Sequence, residues 1–192
     1  NGFGEFKYAV PSGYLAMVAQ NQPITIDNAD NDPPTDHFNT VLYSGTGSSA
    51  SVTGVGFAPD WVWIKERSSS SGHSLHDTVR GTNKRLDSSS ADDESTSGVT
   101  AFGTDGFTQD GGGATGESSQ TYVSWNWLAG GSASSNSDGS ITSSVSANQK
   151  AGFSVVSYTG TGSNGTVGHG LGAVPQLIII KCRTANSTDW TV

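Results

Sequence analysis

Apolar residues in this chain come in short blocks. Trp61-Val62-Trp63-Ile64, Tyr122-Val123-Ser124-Trp125-Asn126-Trp127 and Leu177-Ile178-Ile179-Ile180 stand apart from one another, separated by spacers of Gly, Ser, Thr and Asp. Short apolar blocks bounded by turn-forming residues predict strands, and no stretch sustains the 3.6-residue period of a helix. The pattern predicts strands near 38–43, 50–55, 60–66, 98–103, 106–109 and 120–128. Asp105-Gly106, between Phe102 and Phe107, predicts a hairpin turn. The polar segment 74–86 is expected to hold one short turn of helix at most. Asp138-Gly139 marks a further turn before the alternation of Ile141, Ser143 and Val145, and 141–158 reads as a hairpin.

An internal repeat organises these blocks. Phe38-Asn39-Thr40-Val41-Leu42-Tyr43-Ser44-Gly45-Thr46-Gly47-Ser48 recurs as Phe153-Ser154-Val155-Val156-Ser157-Tyr158-Thr159-Gly160-Thr161-Gly162-Ser163. After one inserted residue the match resumes: Gly54-Val55-Gly56-Phe57-Ala58-Pro59-Asp60-Trp61-Val62-Trp63-Ile64-Lys65-Glu66-Arg67 aligns with Gly170-Leu171-Gly172-Ala173-Val174-Pro175-Gln176-Leu177-Ile178-Ile179-Ile180-Lys181-Cys182-Arg183. The period far exceeds that of a solenoid, so domain-sized copies in tandem are expected. Residues 1–35 read as the end of a preceding β-domain plus an Asp/Pro-rich connector. Residues 36–131 read as one complete β-sandwich module, and 132–192 as a linker hairpin followed by a truncated second copy. The expected fold class is all-β: tandem antiparallel β-sandwich, jelly-roll-like modules joined by short Gly/Ser-rich linkers.

Composition narrows the candidate functions. Only 33% of the 192 residues are apolar and 26 are Gly, a balance that would suit a disordered tract if the apolar residues were evenly diluted. Because they cluster, the chain is expected to fold. The net charge is −8 with nine Lys and Arg, and the densest basic group, Arg80, Lys84 and Arg85, is too small to form a face for phosphate backbones or anionic lipid. Nucleic acid and membrane are therefore not expected partners. The single Cys182 excludes an internal disulfide framework.

Candidate chemistry is sparse. Trp61 and Trp63 share one face of a strand, as do Trp125 and Trp127, and rows of Trp can stack on sugar rings. In the repeat, however, Trp61 and Trp63 align with Leu177 and Ile179, so these positions are expected to fill core. His73, His76 and Asp77 have the spacing of a local metal pair, against which stands a simple Asp77–Arg80 ion pair. Asp27, Asp30, Asp32 and Asp36 are rich in carboxylate but lack the Gly bend and closing Glu of a calcium loop, and Pro33-Pro34 suggests a stiff linker. Gly160-Thr161-Gly162-Ser163-Asn164-Gly165 precedes no helix that could hold a phosphate, and its counterpart Gly45-Thr46-Gly47-Ser48 argues for a turn. Asn164-Gly165-Thr166 and Asn186-Ser187-Thr188 match the N-glycosylation pattern. Cys182 takes the position of Glu66 and is expected to be an inert thiol. No catalytic, cofactor or metal residues are assigned.

Taken together, Gly56-Phe57-Ala58-Pro59-Asp60-Trp61-Val62-Trp63-Ile64-Lys65, His73-Ser74-Leu75-His76-Asp77-Thr78-Val79-Arg80-Gly81, Asp105-Gly106-Phe107 and Thr121-Tyr122-Val123-Ser124-Trp125-Asn126-Trp127 resemble a module of tail-fibre-like virion proteins from tailed, notably marine, bacteriophages. Asp138-Gly139-Ser140-Ile141 and Gly168-His169-Gly170-Leu171-Gly172 fit the same pattern. Asn1-Gly2-Phe3-Gly4 and Pro11-Ser12-Gly13-Tyr14-Leu15-Ala16 are similar to the closing strand of a SPRY-like β-sandwich. The resemblance implies a non-enzymatic virion component, a tail fibre or appendage segment that spaces or presents host-recognition elements. It further implies homotrimeric self-association, contacts with other virion proteins and a virion or extracellular location. The alternative is a carbohydrate-binding module, of a phage receptor-binding protein or a secreted adhesin or filament, gripping a host surface glycan through loops 66–97 and 109–120.

Overall fold

The computed structural model describes residues 32–184 and 188–192. The expected SPRY-like closing strand (1–16), Asp27 and Asp30 of the connector, and Asn186-Ser187 of the second glycosylation pattern lie outside the described residues.

The described chain is all-β, built from β1 (Phe38–Ser44), β2 (Ala50–Thr53), β3 (Trp61–Glu66), β4 (His73–Asp77), β5 (Val99–Gly103), β6 (Gly106–Gln109), β7 (Thr121–Trp127), β8 (Ser134–Asn136), β9 (Ser143–Asn148) and β10 (Phe153–Tyr158). They form three antiparallel sheets, ordered β1-β7-β3-β4, β2-β6-β5 and β10-β9-β8. Thr35–Val192 pack as one compact unit.

The strands expected within 36–131 form where the apolar blocks stand, and Thr104-Asp105 connects β5 to β6 at the expected hairpin. The predicted hairpin within 141–158 is the β9–β10 pair. Two strands had little or no apolar signal: β8 is Ser134-Ser135-Asn136, and β4 holds Leu75 as its one apolar residue. β4 reads His73-Ser74-Leu75-His76-Asp77, and it forms within the segment for which a helical turn was the most expected. Its polar side chains are tolerated because they pair with one another, as described below.

Strand β7 is the hub of the four-stranded sheet. It pairs with β1 from Phe38↔Trp127 to Ser44↔Thr121, and with β3 from Trp61↔Trp127 to Glu66↔Tyr122. Alternation then sorts the side chains onto two faces. The inner face carries Val62, Ile64 and Tyr122, which pack against Val52, Val99 and Phe107 of the second sheet in a single cluster. Burying Val62 and Ile64 fully contributes about 1.5–3 kcal/mol each. The outer face carries the tryptophans.

This corrects the expectation that Trp61, Trp63, Trp125 and Trp127 are core. All four are half-buried, whereas their neighbours Val62, Ile64, Ser124 and Asn126 are fully enclosed. The second sheet lies against the Val/Ile side, and with strict period two the tryptophans are on the other.

The repeat is carried by the backbone as well as by the letters. β1 and β10 are both strands, and the turns after them match: Gly47 and Gly162 have φ of 72° and 76°, while Thr46 and Thr161 each donate Oγ1 to the carbonyl of the Ser two residues on. Further on, the match weakens. Lys65 lies in β3, but Lys181 follows a segment whose one ladder contact is the Ile180↔Thr191 bridge.

Candidate functional site: the aromatic face and its flanking charge cluster

Register places Trp127 opposite Trp61 and Trp125 opposite Trp63, so four indoles stand as a two-by-two block on the outer face. Ring centroids are 4.7 Å apart for Trp61–Trp127, 5.9 Å for Trp61–Trp63 and 6.1 Å for Trp63–Trp125. Phe38 extends the first row, 4.8 Å from Trp127. Pairs at these separations contribute about 0.5–1.5 kcal/mol beyond their buried area.

Part of the block is covered from within the chain. Phe153, the first residue of β10, stacks on Trp61 at 5.5 Å and 18° and on Trp127 at 6.0 Å and 23°. The second row is not capped by Phe153. There Trp63 donates Nε1–H to His73 Nδ1 at 2.7 Å, which requires that nitrogen to be unprotonated. Burial lowers the pKa of His73, as does the neighbouring Lys65, in keeping with this acceptor role. Lys65 lies beside His73 in the β3–β4 register. Across the sheet, Leu42 is 62% exposed.

His73 and His76 do not converge. Three residues apart on one strand, they fall on opposite faces. His76 points inward and is 1% exposed, with Nε2 2.7 Å from Ser74 Oγ and Nδ1 3.0 Å from the carbonyl oxygen of Lys84. A carbonyl only accepts, so Nδ1 carries the proton and Nε2 accepts from the Ser74 hydroxyl. Desolvation, aided by the Arg80 charge, pushes the His76 pKa down to about 3, so the ring is neutral. This Ser–His contact is sealed inside the sandwich, with Ser74 fully buried, and it braces β4 against the 84–86 segment. Among the described residues, His, Cys, Asp and Glu form no group of three able to hold a metal ion.

Asp77 does pair with Arg80 as expected, through Nε and through the Arg80 backbone N–H at 2.8 Å. Sequence reasoning missed the larger cluster. Glu94 accepts from Arg80 at 3.1 Å and takes a two-pronged contact from Arg183, Nε at 2.8 Å and Nη2 at 2.9 Å. Burial would raise the Glu94 pKa, but hydrogen bonds from Arg183 and Arg80 outweigh it and hold the carboxyl below its usual range. Around this fork, Lys181 Nζ donates to the carbonyls of Ala91 and Thr188, and Trp190 Nε1–H donates to that of Asp87. The clue available was Arg183 itself, which repeats Arg67.

The remaining candidates are modest. Asp36 is exposed, and Cys182 is half-buried. The turn 160–165 borders an open depression with Ile141, Tyr158 and Val167. Within loop 109–120, Asp110 accepts from the N–H of Gly112 and from Thr115, contacts that hold the loop's own shape, and from the N–H of Gly98, which ties the loop to the start of β5. No described helix is long and apolar enough to cross a membrane.

Residues 33–192 match the family described as Domain of unknown function (DUF7483), and the chain belongs to that family. No curated protein and no solved structure matches the chain.

Proposed function

We propose that this member of the DUF7483 family is a non-catalytic structural segment of a virion appendage, a tail fibre or a related part, in which successive β-modules lock together to space or present host-recognition elements. The observation that carries the reading is the seating of Phe153 on Trp61 and Trp127. It puts the first strand of the second copy onto the aromatic face of the first, while the Arg183–Glu94 fork ties the two a second time. Two separated attachments resist bending, which suits a part that must transmit position along a filament. A polar surface with few basic groups suits a part that must not adhere indiscriminately. Self-association into a homotrimer belongs to the same reading.

The test is to label purified tailed-phage particles encoding the chain with an antibody to residues 36–131. Labelling along the tail appendages is expected. Particles in which neither labelling nor mass spectrometry finds the chain would overturn the proposal.

A second reading has one observation in its favour: Trp63, Trp125 and His73 are half-buried and lie beyond the cover of Phe153. Such a row offers apolar ring surface with a polar edge, the combination that grips a pyranose. A glycan array probed with wild type and Trp125→Ala decides it, since hits lost on substitution are required.

A further inference from the structure

The chain leaves β7 through Leu128-Ala129-Gly130-Gly131-Ser132, letters that ordinarily mark a flexible connection. Here four consecutive backbone N–H groups are all taken. Leu128 donates to the carbonyl of His37 at 2.8 Å. Ala129 and Gly131 both donate to Asp60 Oδ2, at 2.9 and 3.0 Å. Gly130, between them, donates instead to Ser146 Oγ at 2.9 Å, and the same hydroxyl donates to the Gly131 carbonyl at 2.7 Å.

The two side chains that grip this segment belong to different sheets. Asp60 immediately precedes β3 and is 4% exposed. Its other carboxylate oxygen accepts from Thr78 Oγ1 at 2.9 Å, and its backbone bonds to Trp127 and Thr78, so the four-stranded sheet fixes it. Ser146 lies in β9 and is 1% exposed. Asn148, also of β9, donates to His37 Nδ1 at 3.1 Å and to the Leu128 carbonyl at 3.4 Å. The glycines serve fit rather than freedom. A Cβ on Gly130 would come within 2.5 Å of the Ala147 carbonyl oxygen, and Gly131 holds a φ of 74°. Swinging the segment away would strand the enclosed Asp60 and Ser146 without these partners, which a buried polar group resists.

We infer that 128–131 is a rigid joint, in which Asp60 and Ser146 fix the orientation of the β10-β9-β8 sheet on the four-stranded sheet. Phe153 and the Arg183–Glu94 fork close onto an angle that this joint sets. The inference goes beyond the spacing role proposed above and does not depend on it, because the joint is a property of the isolated chain.

The experiment measures residual dipolar couplings of the backbone amides in the full chain. Two sheets held rigidly share one alignment tensor, and two joined by a hinge do not. Phe153→Ala with Arg183→Ala removes the two attachments already described, and the sheets are expected still to share one tensor. Adding Asp60→Asn and Ser146→Ala is expected to give each sheet its own, with hydrogen-exchange protection at Val62 and Ile64 retained. In the otherwise unaltered chain, Ser146→Ala is expected to speed exchange of the Gly130 amide by roughly tenfold, the effect of one hydrogen bond of ordinary net strength. Separate tensors already in the Phe153→Ala, Arg183→Ala chain would overturn the inference, as would one shared tensor in the four-fold variant. Unaltered exchange at Gly130 in Ser146→Ala would overturn it too, and that measurement decides if the four-fold variant does not fold.

Discussion

The ring of Phe153 lies nearly parallel to that of Trp61, 5.5 Å away and tilted by 18°, although ninety-odd residues and two sheets' worth of chain separate them. The contact joins the repeat's second copy to the outer face of its first. Deleting a fully buried Phe costs about 3–5 kcal/mol, and Phe153 is half-buried. Phe153→Ala is therefore expected to lower unfolding free energy by about 1–3 kcal/mol in urea titration, and to shift Trp fluorescence to longer wavelength as Trp61 and Trp127 meet water.

The pH dependence of stability has a distinct signature. His76 has its pKa depressed from the usual 6.5 to about 3 in the folded state. Between those values the unfolded chain binds more protons than the folded one, so stability is complete above pH 6.5 and falls as pH drops toward 3, by up to about 1.4 kcal/mol per unit. His73, also lowered, adds to the slope with the same sign. The depressed carboxylates, Glu66 held by hydroxyls of Ser69 and Ser71 and Glu94 by Arg183 and Arg80, act only below about their usual 4.5. Denaturant titrations between pH 6.5 and 5 are expected to show the slope in wild type, less of it in His73→Gln, and least in His76→Gln.

Gly98 is packed against that same imidazole. A Cβ there would meet His76 Cε1 at 2.3 Å, and the backbone φ of 95° disfavours any side chain. Gly98→Ala is expected to destabilise the chain by about 3 kcal/mol. Combined with His76→Ala it is expected to cost less than the sum of the two, because the clash disappears while the backbone strain stays. Additive costs in the double-mutant cycle would show that the ring and Gly98 do not press on each other.

The Glu94 cluster separates a buried from an exposed ion pair. Arg80 is 6% exposed in its side chain and Arg183 is 37%. Glu94→Ala leaves the buried Arg80 with Asp77 as its one remaining carboxylate partner, beside the carbonyls of Leu75 and Lys84, and is expected to cost about 3 kcal/mol. Arg183→Ala loses a contact that solvent partly screens, and is expected to cost about 1 kcal/mol or less, with marked salt dependence. Thermal melts at low and high salt distinguish the two.

Much of the architecture could be read from the letters. Apolar blocks and Gly/Asp turns marked most strands of the complete copy and the β9–β10 hairpin, because strand length and turn chemistry are local properties. The repeat was equally legible, down to the paired turns at Gly47 and Gly162. β4 was not, since a strand made of His, Ser and Asp is stable only once Ser74, His76 and the Lys84 carbonyl have found one another. Nor was the Glu94 fork, whose partners Glu94 and Arg183 lie 89 residues apart in different copies of the repeat.

The tryptophans show where local information stops. Alternation in Trp61-Val62-Trp63-Ile64 determined that there would be two faces and which residues would share each. It could not say which face is inside, because both are apolar and burial depends on where a second sheet lies. Tertiary packing put β2-β6-β5 against the smaller Val and Ile, and left the indoles outside, where Phe153 covers Trp61 and Trp127.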